Sequence, residues 1–188
     1  ARVAQLAMAP TDARAIVDAV ATAFQSGSTD FVTAQRQLAT AIRLAPTLAD
    51  AHYYRGGLDV LRGDGQSALP HLRAAIRLDP QHADAYYELG NACMGAGDVK
   101  CAVGALRSAA SVQPRHAGIL ANLGNALHDA GDDAASERAF RRAMKLEAVG
   151  LDGCNAANGL SNVLEGAGRA AEAEHVSARA LRRLPECH

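Results

Sequence analysis

The sequence predicts an all-α fold, built as a solenoid of about five stacked helix-turn-helix repeats. Pro46, Pro80 and Pro114 lie 34 residues apart, and Gly-Asp pairs at 63–64, 97–98 and 131–132 keep the same spacing. The composition is 49% hydrophobic but only 4% aromatic and contains no Trp. Such a composition favours helices that pack closely through small side chains.

Each proline closes a similar segment, which marks the end of a repeat. The segments read AIRLAP at 41–46, AIRLDP at 75–80 and AASVQP at 109–114. Between successive prolines, two apolar-periodic stretches are separated by the Gly turn, a pattern typical of a helical hairpin. A hairpin alone cannot bury its apolar stripe, so neighbouring hairpins are expected to stack.

Residues at fixed places within the repeats resemble the pattern of the tetratricopeptide repeat family. The third repeat shows it best, with Tyr86, Leu89, Gly90, Cys93, Ala102, Leu106, Ala109 and Pro114. The second repeat departs from it, because His52, Arg55 and Asp59 stand where the family prefers large apolar residues. The resemblance implies a right-handed superhelical solenoid whose first helices line a concave groove. Repeats are expected at 15–48, 49–82, 83–116, 117–150 and 154–187, after an N-terminal extension at 1–14.

Motifs for catalysis or metal binding are not found in the sequence. No G-x-S-x-G, P-loop or G-x-G-x-x-G motif stands in a strand-turn-helix setting. The seven histidines follow no metal-ligand spacing. His82 and His116 share a repeat position just after Pro and are expected to be solvated neighbours on one rim. We therefore expect a non-enzymatic protein-protein interaction scaffold without a cofactor or a metal.

Asparagine recurs at positions that the repeat pattern turns toward the groove. These residues are Asn91, Asn122, Asn125, Asn155, Asn158 and Asn162. A carboxamide offers an acceptor and two donors, so it can pair with both backbone groups of an extended peptide. The arrangement is similar to the asparagine ladder of O-linked N-acetylglucosamine transferases, and NLGNALHDAGD at 122–132 resembles one of their repeats. Tyr53 and Tyr87, one repeat apart, are candidate apolar anchors for such a peptide. The alternative is that the asparagines form a polar stripe that faces solvent and binds no ligand.

Charge and hydropathy narrow the class of partner. The formal net charge is -1 and 21% of residues are charged, so the basic excess of a nucleic-acid binder is missing. No apolar run approaches the roughly 20 residues that a membrane span requires. A protein or peptide is therefore the expected partner.

A structural role by self-assembly is the first alternative function. The sequence stops at His188, directly after the fifth repeat and without a capping helix, which favours head-to-tail stacking into a filament or ring. Candidate contact residues are Ile16, Val20 and Phe24 near one end and Val176 and Leu181 near the other. The second alternative is an accessory repeat domain of a larger enzyme such as a glycosyltransferase.

The four cysteines form two symmetric pairs. Cys93 lies four residues before Gly97 and Cys101 four after it, which places them opposite each other in an antiparallel hairpin. Cys154 opens the fifth repeat and Cys187 ends it. Disulfides 93–101 and 154–187 are possible on this geometry, and the alternative for Cys93 is a buried free thiol. Disulfides would favour a secreted or periplasmic protein, and free thiols a cytoplasmic one.

Overall fold

The computed structural model describes residues 10–27, 30–146 and 151–183, and all regular secondary structure in these ranges is α-helical. The helices are α1 (Pro10–Gln25), α2 (Phe31–Leu44), α3 (Ala49–Leu61), α4 (Gly65–Leu78), α5 (Ala83–Gly95), α6 (Val99–Val112), α7 (Ala117–Asp129), α8 (Asp133–Leu146), α9 (Leu151–Gly166) and α10 (Ala170–Arg183). The predicted all-α class is confirmed. Helix α1 begins at Pro10, so residues 10–14 belong to the first helix and not to an extension.

The chain divides into two compact units, one ending at Glu88 and the other beginning at Leu89. The first unit has a core formed by α1, α2 and α3, in which Val17, Leu38 and Leu58 are buried. The second unit has a separate core in which Phe140 and Leu160 are fully buried. Each unit therefore buries its own apolar side chains.

Both residues of each repeated Gly-Asp pair have a structural role at the turn between the two helices of a hairpin. Gly63, Gly97 and Gly131 end the first helix of their hairpins with φ of 77°, 72° and 77°, a left-handed conformation that favours glycine. The aspartate that follows caps the next helix. Asp98, for example, accepts a hydrogen bond from the backbone N–H of Cys101 at 3.0 Å. The pair thus stops one helix and starts the next.

Glycines on the first helices allow the two helices of a hairpin to approach closely. A Cβ at Gly90 would lie 2.5 Å from Cγ of Leu106, and one at Gly124 would lie 2.6 Å from the ring of Phe140. Gly159 on α9 faces the same ring, at 2.3 Å. Phe140 therefore fills the space that two glycines leave, one in its own hairpin and one in the next.

The polar residues that depart from the family pattern in α3 contact other polar groups. Asp59 is 3% exposed, and its Oδ1 lies 3.6 Å from a guanidinium nitrogen of Arg55. With the side-chain amide of Gln35 on α2 turned by 180°, its oxygen accepts from the same guanidinium at 2.6 and 2.8 Å, the orientation that satisfies both of its polar atoms. Oδ2 of Asp59 is buried without a hydrogen-bond partner among the described residues. A polar cluster thus replaces part of the apolar core here.

Candidate functional site

The asparagines predicted to bind a peptide all lie in the second compact unit. Asn91 is on α5, Asn122 and Asn125 are on α7, and Asn155, Asn158 and Asn162 are on α9. The three on α9 are exposed, and the others are half-buried. Spacings of three and four residues place the members of each helix on one face.

Before its exposed C-terminal residues His128 and Asp129, helix α7 leaves only asparagine side chains unburied. In the stretch 117–127, all of which the structure describes, Asn122 and Asn125 are the two residues that are not buried. The rest of this stretch packs against α6, α8 and α9, because its side chains are small or apolar. The accessible strip of α7 in this stretch is therefore made of two carboxamides.

Asn122 and Asn91 are joined directly. Nδ2 of Asn122 donates a hydrogen bond to Oδ1 of Asn91 at 2.8 Å. The bond connects the first helices of successive repeats and orients the Asn91 amide, whose Nδ2 group takes no part in it. Sequence analysis placed both residues on one surface but did not predict that they pair, because their separation of 31 residues carries no local signal.

On α9, the asparagines lie opposite the buried side of the helix. Ala156, Leu160 and Val163 are buried in the core of the second unit. Asn158 and Asn162 alternate with them and are exposed. The carboxamides of α9 are therefore available to a ligand without any change in packing.

The predicted aromatic anchors belong to the first compact unit. Tyr53 is half-buried, and its ring centroid lies 4.9 Å from that of Tyr54 and 4.7 Å from that of His82. Burial raises the pKa of the Tyr53 hydroxyl, and the carboxylates of Asp84 and Glu88 raise it further. Tyr87 is half-buried as well. A role of Tyr53 and Tyr87 as anchors for a peptide stays a prediction.

The expectation that His82 and His116 are solvated is wrong for the largely buried His82, whereas His116 is exposed, and both side chains also accept a backbone hydrogen bond. Nδ1 of His82 accepts from the backbone N–H of Ala85, and Nδ1 of His116 accepts from that of Ile119, both at 3.2 Å. Each histidine thus helps to cap the helix that starts after the repeat's proline, α5 and α7 respectively. The His82 side chain is only 10% exposed.

His82 also belongs to a polar chain that sequence reasoning missed. Its Nε2 lies 3.4 Å from Oδ1 of Asp50 without forming a hydrogen bond to it, and Oδ2 of Asp50 lies 2.5 Å from Nη1 of Arg14. The chain joins the N-terminal ends of α5 and α3 to α1. Only the 34-residue equivalence of His82 and His116 could have indicated a shared structural role.

The structure joins Cys93 to Cys101 in a disulfide, with their Cα atoms 5.7 Å apart. The bond fastens α5 to α6 near their shared turn. Cys154 is disulfide-bonded too, and its predicted partner Cys187 lies outside the described residues.

The candidate residues for self-assembly need correction. Val20 is 1% exposed and Val176 is 8% exposed, because each packs into the core of its own compact unit. Neither side chain is available to a second molecule. Ile16 and Phe24 are partly buried against the first core, whereas Leu181 is 42% exposed.

An open depression of about 650 Å³ lies between α6 and α7. Val103, Gly104 and Leu127 contribute its apolar part, and Lys100, Arg107, Asp129 and Asp132 are charged residues on its wall. None of the asparagines lines it. The depression is therefore a surface separate from the asparagine face.

The described part of the chain holds neither a three-residue metal-ligand cluster nor a membrane-length apolar helix. No three residues among His, Cys, Asp and Glu come together there as a metal site. None of the described helices combines the length and the apolar character needed to cross a membrane.

Comparison with known proteins supports the repeat assignment. Models of the tetratricopeptide repeat match residues 60–106 and 94–148. No curated protein sequence matches the chain. The closer likeness to O-linked N-acetylglucosamine transferase repeats stays a prediction.

Solved structures share the fold at low sequence identity. MamA from Desulfovibrio magneticus RS-1 has a TM-score of 0.79 at 19% identity, with 90% of this chain and 93% of that one covered. TTC0263, a thermophilic TPR protein of Thermus thermophilus, has a TM-score of 0.67 at 20% identity, covering 93% and 92%. YrrB, a TPR protein with an unusual peptide-binding site, has a TM-score of 0.76 at 16% identity, covering 96% and 94%. Residues 60–148 therefore match tetratricopeptide repeats, and the chain shares the fold of these solved structures.

Proposed function

We propose that this protein is a non-enzymatic interaction scaffold whose second compact unit binds an extended polypeptide along the asparagine face of α5, α7 and α9. The observation that carries the proposal is the accessible strip of α7, where Asn122 and Asn125 are the unburied residues of 117–127. A strip of two carboxamides between buried neighbours can bind backbone amides but offers no pocket for a particular side chain.

The chemistry of the face favours recognition of backbone over sequence. Each carboxamide can accept from an N–H and donate to a C=O of the same peptide segment. The hydrogen bond between Asn122 and Asn91 holds one amide in a fixed orientation before a ligand arrives, which reduces the entropy lost on binding. A net gain of about 0.5–1.5 kcal/mol per hydrogen bond implies modest affinity and broad sequence tolerance.

The fold comparison agrees with this function without specifying it. YrrB, whose fold is shared, is described as having an unusual peptide-binding site. The asparagine face is where the present chain has the polar groups that such binding needs. Catalysis would need a nucleophile or an acid-base pair beside the ligand, and the face consists of neutral carboxamides.

The test uses peptides whose backbone is altered while their side chains are kept. A panel of unstructured 12-residue peptides of different sequence is measured by fluorescence anisotropy, and each bound peptide is compared with its backbone N-methylated form. We expect several unrelated peptides to bind and N-methylation to weaken them, because it removes backbone donors to the Asn side-chain oxygens.

Variants of the protein complete this experiment. Asn125→Ala and Asn158→Ala should each weaken all bound peptides by similar factors, about 1 kcal/mol per lost hydrogen bond. Gln66→Ala, at an exposed carboxamide on α4, is the matched control and should change nothing. Equal affinity in the two asparagine variants and the unmodified chain would rule out the asparagine face as the binding site.

A further inference from the structure

Two histidines of the first compact unit face each other across a helical hairpin. His52 lies on α3 and His71 on α4, and their ring centroids are 5.7 Å apart. Their Nδ1 atoms are 3.4 Å apart. Both side chains are half-buried.

The hydrogen bond of His52 to the backbone determines where its lone pair points. Nε2 of His52 lies 3.2 Å from the carbonyl oxygen of Pro46. A carbonyl oxygen can only accept, so Nε2 carries the proton and Nδ1 presents a lone pair toward His71. Metal-binding histidines show this arrangement, in which the second ring nitrogen donates to a carbonyl or carboxylate.

We propose that His52 and His71 form a two-histidine site for Zn²⁺, with the metal held between their Nδ1 atoms. Two nitrogens bound to tetrahedral Zn²⁺ at about 2.0–2.1 Å lie about 3.3–3.4 Å from each other. The observed separation of 3.4 Å matches that value.

Without a metal, the two rings are within reach of a hydrogen bond in which Nδ1–H of His71 donates to Nδ1 of His52. Zn²⁺ would take the place of that proton, so metal binding at this site should release a proton.

The site has two protein ligands and leaves two positions of the tetrahedron to water. No third His, Cys, Asp or Glu joins the pair within the described residues. Structural zinc sites have four protein ligands, so this site should bind reversibly and leave the ion open to a further ligand.

Metal titration of the untagged chain tests the site. Isothermal calorimetry with Zn²⁺, and visible absorption with Co²⁺ as a tetrahedral probe, should both show about one saturable site per chain. His52→Ala and His71→Ala should each weaken Zn²⁺ binding by about 10–100-fold or more. Loss of a residue that only hydrogen-bonds to a metal ligand already costs about that factor, and these two residues are the proposed ligands themselves. His175→Ala, at an exposed histidine on α10, is the matched control and should leave binding unchanged.

A measurement on the unmodified protein keeps the test valid even if a variant unfolds. Long-range ¹H–¹⁵N spectra of the histidine rings should show that Zn²⁺ shifts Nδ1 of His52 and of His71 and leaves the rings of His128 and His175 in place. The proposal is overturned by the lack of saturable binding, by shifts confined to other histidines, or by full binding in a folded His52→Ala, His71→Ala double variant.

Discussion

The side chain of Asn122 donates to that of Asn91 at 2.8 Å, so the two carboxamides act as one group on the candidate binding face. The bond joins α7 to α5, the first helices of two successive repeats. The bond should therefore contribute to stability independently of the proposed ligand binding, and a stability measurement tests it without a ligand.

We expect Asn91 and Asn122 to show energetic coupling in a double-mutant cycle. The coupling free energy should be about 0.5–1.5 kcal/mol, the net value of one hydrogen bond. Urea unfolding of Asn91→Ala, Asn122→Ala and the double variant measures it. Asn91 with Asn158 serves as the control pair, because the two lie on α5 and α9, which are not successive first helices. Additive effects for 91 and 122 would show that the bond contributes nothing in solution.

Phe140 should be the most sensitive residue of the second core. Its fully buried ring fills the space left by Gly124 and Gly159, so Phe140→Ala should cost about 3–5 kcal/mol of unfolding free energy. Gly159→Ala would place a Cβ 2.3 Å from the ring and should cost about 1–3 kcal/mol.

Gly104→Ala on α6 is the matched control for Gly159→Ala. A Cβ at Gly104 meets nothing within 4 Å, and the position itself is exposed. Alanine there should stabilise the protein by about 0.4–1 kcal/mol, because it reduces the entropy of the unfolded chain. Chemical denaturation decides the matter, and equal effects of the two substitutions would refute the close approach at Gly159.

These residues also show which parts of the structure the sequence could predict. The Gly97-Asp98 pair acts through its own turn and its own helix start, so its 34-residue repetition is readable without coordinates. The all-α class, the hairpins and the pairing of Cys93 with Cys101 depend on such local geometry. The facing of His52 and His71 depends on side-chain orientations across two helices, and no spacing rule indicates it.

The errors have a physical cause as well. Val20 and Val176 were assigned to an external contact because apolar residues at helical spacing look the same whether they face the core or a partner. In the structure, the Val20 side chain packs into the core of the first compact unit and the Val176 side chain into the core of the second. The sequence does not indicate the capping role of His82, because an imidazole after a proline can either face solvent or accept a hydrogen bond from a backbone N–H.

Acid should weaken the contact between α8 and α10 through Glu137. Arg169 donates to Glu137 at 2.8 Å and to Glu172 at 2.7 Å. Hydrogen bonds from Arg169, and for Glu137 from Arg141 as well, hold the pKa of both carboxyls below the ordinary value of 4.5. A lowered pKa in the folded state means that the stabilisation is present above about pH 4.5 and is lost as the pH falls through the folded pKa values.

The measurement is the urea midpoint as a function of pH, for the unmodified chain and for Arg169→Gln. The variant should show a smaller loss of stability on acidification, and added salt should reduce the difference because these groups are partly exposed. Arg138→Gln, on the same helix as Glu137 but with no ion pair in the described structure, is the control. Identical acid profiles for all three proteins would exclude the network as a contributor.

Oxidation of Cys93 and Cys101 should stabilise the third repeat by an amount that its loop length determines. The two residues are 8 apart in sequence, and a loop of that size corresponds to about 2–3 kcal/mol in the chain-entropy model. Cys101→Ser should therefore lower the unfolding free energy by about that amount under oxidising conditions. Because the substitution leaves Cys154 unchanged, it isolates this bond from the effect of a general reductant.

Thiol titration of denatured, non-reduced protein provides the complementary measurement, and fewer than the four cysteines of the sequence should react. If all four thiols react in protein isolated from its natural source, the bond does not form there, and Cys93 then acts as a buried apolar residue of α5. In that case Cys101→Ser should change stability little, since Cys101 is only half-buried, whereas a polar substitution of the 1% exposed Cys93 should still destabilise the hairpin. The two substitutions therefore distinguish a covalent role for this pair from a packing role of Cys93 alone.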